Sequence, residues 1–145
     1  MLAGRIADMI LTLFVAANIF AFGAKVQGVW NTGLDVPFGT RRFDAKVLPP
    51  FVKSFSSPKD ATAVVSLLRN GERDYFMAVN RDPNDGTSFT ATFAPGTQLV
   101  RRDGSRVPVD AYADTFWLDP GDTAIFCRSG LGTKLSCYVV EEQLK

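Results

Sequence analysis

The sequence predicts a mainly β protein: an antiparallel β-sandwich of Greek-key-like type over residues 25–145, preceded by one apolar helix within residues 1–24. Three observations predict it. Residues 9–24 form a run without a charge. Beyond Lys25 the chain divides into short apolar or alternating runs, and dipeptides such as Asn70-Gly71, Asp103-Gly104 and Pro120-Gly121 punctuate them as turns. Finally, 145 residues with 46% hydrophobic against 21% charged side chains suit one globular domain with its own core, not a disordered tail.

Taken in order, the first element is the uncharged run Met-Ile-Leu-Thr-Leu-Phe-Val-Ala-Ala-Asn-Ile-Phe-Ala-Phe-Gly-Ala. As a helix it spans about 24 Å at roughly 1.5 Å per residue, short of the ~30 Å hydrocarbon core of a bilayer. Three readings stay open: a helix buried against protein, a signal peptide with Ala21-Phe22-Gly23 at the cleavage spacing, and a membrane anchor. The last two place the protein in the periplasm, outside the cell or at a membrane.

Residues 25–30 read as a strand whose register is open, because Val29 breaks the alternation begun by Val26 and Gly28. Pro49 and Pro50 cannot donate ladder hydrogen bonds, so residues 47–55 are an edge strand or a connection. Residues 61–69 and 75–80 flank Asn70-Gly71 and form the strongest hairpin signal. Residues 87–93 alternate as a half-buried strand does. A short hairpin follows over 99–107, where Asp103-Gly104 suits a type I′ turn. Residues 115–118 and 123–127 flank Asp119-Pro120-Gly121-Asp122, with Pro and Gly at the centre of a type II turn. So many short strands argue for the sandwich.

Composition removes most chemistry. With no histidine there is no Ser-His-Asp or Cys-His apparatus and no His-ligated zinc, and two cysteines cannot make a four-cysteine metal site. Neither metal nor cofactor is expected. A formal charge of +1 gives no general case for nucleic acid. Glycoside hydrolysis needs two facing carboxyls, yet Glu72 lies in a turn, Glu141 and Glu142 are neighbours in the tail, and Asp82, Asp85, Asp103, Asp119 and Asp122 occupy turns. No catalytic residue is assigned. Asp82-Pro83-Asn84-Asp85-Gly86 gathers oxygen ligands but falls one residue short of the EF-hand spacing and lacks the distal Glu, so it reads as a turn. Cys127 and Cys137 border a polar, Gly-bearing loop. They form a disulfide if their strands pair in an oxidising compartment, and are two half-buried thiols otherwise.

The aromatic residues are the remaining candidates. Trp30, Tyr112 and Trp117 could stack on sugar faces, with Asn31 beside Trp30; the simpler reading makes them sandwich core or interdomain contacts. Trp117 stands between Phe116 and Leu118, so one of the two faces there must be core.

Gly28-Val29-Trp30-Asn31-Thr32-Gly33, Leu48-Pro49-Pro50-Phe51, Leu67-Leu68-Arg69, Val79-Asn80-Arg81-Asp82 and Leu118-Asp119-Pro120-Gly121-Asp122-Thr123-Ala124 together resemble the C-terminal region of bacterial multidomain glycoside hydrolases, of the family 42-like β-galactosidase type. The resemblance runs from about Ala24 to Phe126. It implies a small accessory β-sandwich that follows a catalytic barrel, with the apolar segment matching the barrel's closing helix. The chain departs from it at Asn31, where relatives often carry histidine, and in the stronger apolarity of residues 9–24. The nucleophile and general acid of such enzymes lie on barrel strands, and nothing in this chain corresponds to them. The resemblance therefore implies a non-catalytic domain whose partner is a catalytic barrel. The competing expectation is an exported or membrane-tethered module that holds glycans. A module should show Trp30 or Trp117 on an open face beside polar residues, whereas a scaffold should bury both.

Overall fold

A computed structural model of the chain describes residues 23–58, 61–109 and 113–129. Nine strands occur among them: β1 (Lys25–Asn31), β2 (Val52–Ser56), β3 (Ala63–Asn70), β4 (Arg73–Asn80), β5 (Thr87–Phe93), β6 (Gln98–Val100), β7 (Arg106–Pro108), β8 (Ala113–Leu118) and β9 (Thr123–Ser129). The only helical element among the described residues is a 3-10 turn at Ala45–Val47. The protein is mainly β. Strands in the order β1-β3-β4-β9-β6-β7 form one sheet and β2-β5-β8 another, and every strand pairing is antiparallel. The helix expected within residues 1–24 lies outside the described residues up to residue 22. No helix among the described residues is long and apolar enough to cross a membrane.

Alternation places one core between the sheets. Along β5, Phe89, Ala91 and Phe93 are buried while Ser88, Thr90 and Thr92 alternate with them on the opposite face. Phe76 on β4 and Phe126 on β9 belong to the same apolar cluster from the larger sheet. Rings cross the gap directly: Phe93 and Phe126 have centroids 4.3 Å apart, Phe55 and Phe76 5.3 Å, and Phe116 and Phe126 5.4 Å. Each fully buried Phe is worth roughly 1.5–3 kcal/mol, and these contacts give the two sheets their sandwich-like arrangement.

Several local readings are refined. In β1 the pairing passes from Val26↔Leu68 to Gly28↔Leu67, so Gln27 is the extra residue of a bulge. That bulge returns Val29, opposite Ser66, to the face of Val26 and accounts for the broken alternation. β2 is an edge strand of the three-stranded sheet, the position its preceding prolines favour. The β3–β4 hairpin turns on Gly71-Glu72, not on Asn70-Gly71: Asn70 pairs with Arg73, and Gly71 takes φ 58° as the first central residue of the two-residue loop. The type I′ turn expected at Asp103-Gly104 is corrected too. It needs positive φ at both residues, and no described residue other than glycine has it. Instead the Gly104 N–H donates to the Arg101 carbonyl at 2.9 Å and Gly104 follows that turn with φ 82°.

At the Pro-Gly corner the Asp122 N–H reaches the Asp119 carbonyl at 2.9 Å and Gly121 has φ 74°, as a type II turn requires. Its flanking strands belong to different sheets. The turn therefore carries the chain from one layer to the other.

Candidate functional site

The outer face of the three-stranded sheet carries a group of hydroxyls and one indole. Ser56, Thr90 and Thr115 form a row across β2, β5 and β8, Ser54 stands opposite Thr92, and Ser88 stands opposite Trp117. Thr90 Oγ1 and Thr115 Oγ1 are hydrogen-bonded at 3.1 Å. The two flanking residues of Trp117 point the other way: Leu118 is buried and Phe116 packs against the core. Trp117 itself is 62% exposed. The period of two thus turns it away from the core, contrary to the reading that made it part of the sandwich core.

Two neighbours set the ring's orientation. Trp117 Nε1 donates to Asp119 Oδ1 at 2.9 Å. Gly86 lies beneath the ring, so close that a Cβ there would come within 2.5 Å of Trp117 Cζ2. Beside the indole an open cleft of about 540 Å³ runs between the ends of β6 and β8, lined by Leu99, Arg101, Arg102, Phe116, Trp117 and Asp122 among others. Arg102 Nη2 binds Asp122 Oδ1 there at 2.9 Å.

Asn80 holds this end of the molecule together. Its side chain is fully buried; Nδ2 donates to the carbonyls of Asp85 at 2.9 Å and Leu118 at 3.1 Å, and Oδ1 accepts from the Asp82 N–H at 3.0 Å. Its backbone meets the corner as well, the N–H donating to the Asp122 carbonyl and the carbonyl accepting from Gly121. The loop that carries Gly86 and the corner that carries Asp119 are thereby tied to one residue of β4. Asp82 closes the loop locally: its carboxylate accepts the N–H groups of Asn84 at 2.8 Å and Asp85 at 3.0 Å, which hold its pKa below the usual value. Among the described residues no group of three acidic, Cys or His side chains is placed to hold a metal.

The other sequence candidates lie elsewhere. Trp30 is half-buried on β1, at the edge of the six-stranded sheet, with its ring folded over Gly28; a Cβ on Gly28 would come within 2.0 Å of Trp30 Cη2. Asn31 is buried where β1 ends, its N–H donating to the Arg41 carbonyl and its carbonyl accepting from Phe43, both at 2.8 Å. Trp30 and Trp117 thus stand on different sheets. Tyr112 and Cys137 lie outside the described residues. Cys127 is a buried free thiol whose pKa is pushed up by burial.

Sequence reasoning missed the hydroxyl face and Gly86. The alternation of Ser88, Thr90 and Thr92 was visible, but joining it to Ser54, Ser56, Thr115 and Trp117 needs the order β2-β5-β8. Comparison with known protein families, with curated proteins and with solved structures found no match.

Proposed function

We propose that this chain is a non-catalytic module that holds glycans on the outer face of its three-stranded sheet, with Trp117 as the stacking platform. The observation that carries the proposal is the exposure of Trp117, 62%, on a ring already held by Asp119 and backed by Gly86. An indole held in place loses little freedom when a ligand docks. Its apolar face suits the C–H side of a pyranose ring, while the Ser and Thr hydroxyls beside it both donate and accept as sugar hydroxyls do. In this reading the two sheets form a Greek-key-like sandwich and the run that ends before Gly23 an apolar helix. Calorimetry against a panel of soluble polysaccharides and oligosaccharides tests it. The expected result is saturable binding that Trp117→Ala weakens at least tenfold while the thermal melt persists. Absence of binding across the panel, or an unchanged affinity in the variant, overturns it. No turnover of aryl glycosides is expected.

A second observation supports the scaffold reading, in which the domain covers a glycoside hydrolase barrel. Four large apolar side chains are exposed on β1 and the stretch that follows it: Val26 at 52%, Val29 at 44%, Leu34 at 61% and Phe38 at 105%. Arg42 and Arg81 hold the loop that bears Leu34, Arg42 donating to the carbonyls of Gly33 and Leu34 and Arg81 to that of Asp35. If this patch meets a barrel, Phe38→Ser weakens that association and leaves glycan binding untouched.

A further inference from the structure

The six-stranded sheet is apolar on both faces. One face meets the three-stranded sheet. On the other, cross-strand pairing aligns Leu68, Tyr75 and Cys127 in one row and Ser66, Met77 and Ile125 in the next, and β1 extends these rows by Val26 and Val29. Antiparallel sheets commonly leave such a second face to water. Here it is buried: Leu68 and Cys127 are 2% exposed, Ile125 4% and Tyr75 6%. The described apolar residues packed on that cluster, Met77 and Val100, stand on the same sheet. Lateral neighbours cannot seal a sheet face, which takes a second layer. At the edge Val26 and Val29 remain 52% and 44% exposed. The cover is therefore a strip over β3, β4 and β9, about 10 Å across at ~4.8 Å per strand, the width of one α-helix.

We propose that the uncharged run up to Gly23, residues 9–22, is that layer, packed as a helix on the outer face of the six-stranded sheet. The run carries Ile10, Leu11, Leu13, Phe14, Val15, Ile19, Phe20 and Phe22, and as a helix it measures about 21 Å. β3 and β4, 8 residues each, run a comparable ~27 Å. The junction fits as well. Gly23 has φ 83°, the left-handed conformation that ends helices, and β1 begins two residues later at Lys25 as the strand beside β3. The run thus meets this sheet at the border of the face, with no linker to cross. The other terminal stretch, residues 130–145, offers only six uncharged residues in a row between Lys134 and Glu141, about 9 Å as a helix, too short to cover that strip. This inference stands apart from the glycan reading and replaces the membrane and the leader peptide with the protein's own sheet as the destination of the run.

Cys127, within the covered face, is the reporter. In the full chain carrying Cys137→Ser it is the sole thiol, and its reaction with a water-soluble thiol reagent is expected to be slow. Adding Leu13→Asp and Phe14→Asp should raise that rate tenfold or more with the far-ultraviolet β signal retained, whereas adding Val139→Asp should not. Acceleration by Val139→Asp alone overturns the proposal in favour of the C-terminal residues. A second measurement avoids disrupting the layer. Leu13→Cys, Phe14→Cys, Ala17→Cys and Phe20→Cys are introduced singly into the Cys137→Ser chain and mildly oxidised. At least one should form an intramolecular disulfide with Cys127. Failure of all four in a folded monomer, or a full chain that is soluble only in detergent with Cys127 reactive, overturns it.

Discussion

Asn80→Ala is expected to cost this protein a large share of its stability. The side chain is fully buried and makes three hydrogen bonds, to the carbonyls of Leu118 and Asp85 and from the N–H of Asp82. The bond to Leu118 is buried, and leaving that carbonyl without a partner costs about 1–3 kcal/mol. The other two are part-buried, where water replaces some of the loss, at roughly 0.5–1.5 kcal/mol each. Together they come to about 2–6 kcal/mol, against the roughly 5–15 kcal/mol that holds a typical domain folded. At roughly 3 °C per kcal/mol the melting temperature falls by about 10 °C. Urea unfolding followed by tryptophan fluorescence measures the loss directly. Asn80→Asp should be worse than Ala at neutral pH, because a carboxylate cannot donate to either carbonyl and is buried with its charge. That gap should narrow in acid, since burial raises the carboxyl's pKa and protonation removes the charge. An Asn80→Ala chain within about 1 kcal/mol of the parent would refute the reasoning, for it would mean that the corner and the loop hold without their common partner.

Gly86→Ala should displace the Trp117 ring, since its Cβ would lie 2.5 Å from Cζ2; glycan affinity is expected to fall at least tenfold with the fold kept, read by calorimetry and circular dichroism. Gly28→Ala should likewise lift Trp30 off β1, where the gap would be 2.0 Å, and shift its fluorescence to the red. Acid should expose the role of Asp82, whose native pKa lies below its ordinary 3.8 because Asn84 and Asp85 donate to it. The unfolded chain then binds more protons in that window, so this stabilisation is present above 3.8 and lost as pH falls through the lowered native value. Melting temperatures in that acid range should drop more steeply for the parent than for Asp82→Asn.

The strands were legible one at a time because each carries its own signal. Ser88, Thr90 and Thr92 alternate with Phe89, Ala91 and Phe93 within a single stretch, and the Pro120-Gly121 corner is written in two adjacent residues. Where a turn depended on which flanking residues pair, local chemistry fell short: Asp103-Gly104 looks like type I′, but the bond from Gly104 to Arg101 moves the turn back along the chain. The absence of histidine, and with it of the common catalytic groups, was determined by composition alone. Tertiary structure decided the rest. Which side of β8 is core depends on the sheet that β8 joins, and pairing with β5 puts Phe116 and Leu118 inside and Trp117 in solvent. The hydroxyl face exists only because β2, β5 and β8 come from distant parts of the chain and lie side by side. Likewise Asn80 reads as one polar residue at the end of a strand until Leu118, far along the chain, supplies the carbonyl it binds. Alternation along a strand reports that two faces differ; what each face meets is a property of the neighbours, and those are set by long-range pairing.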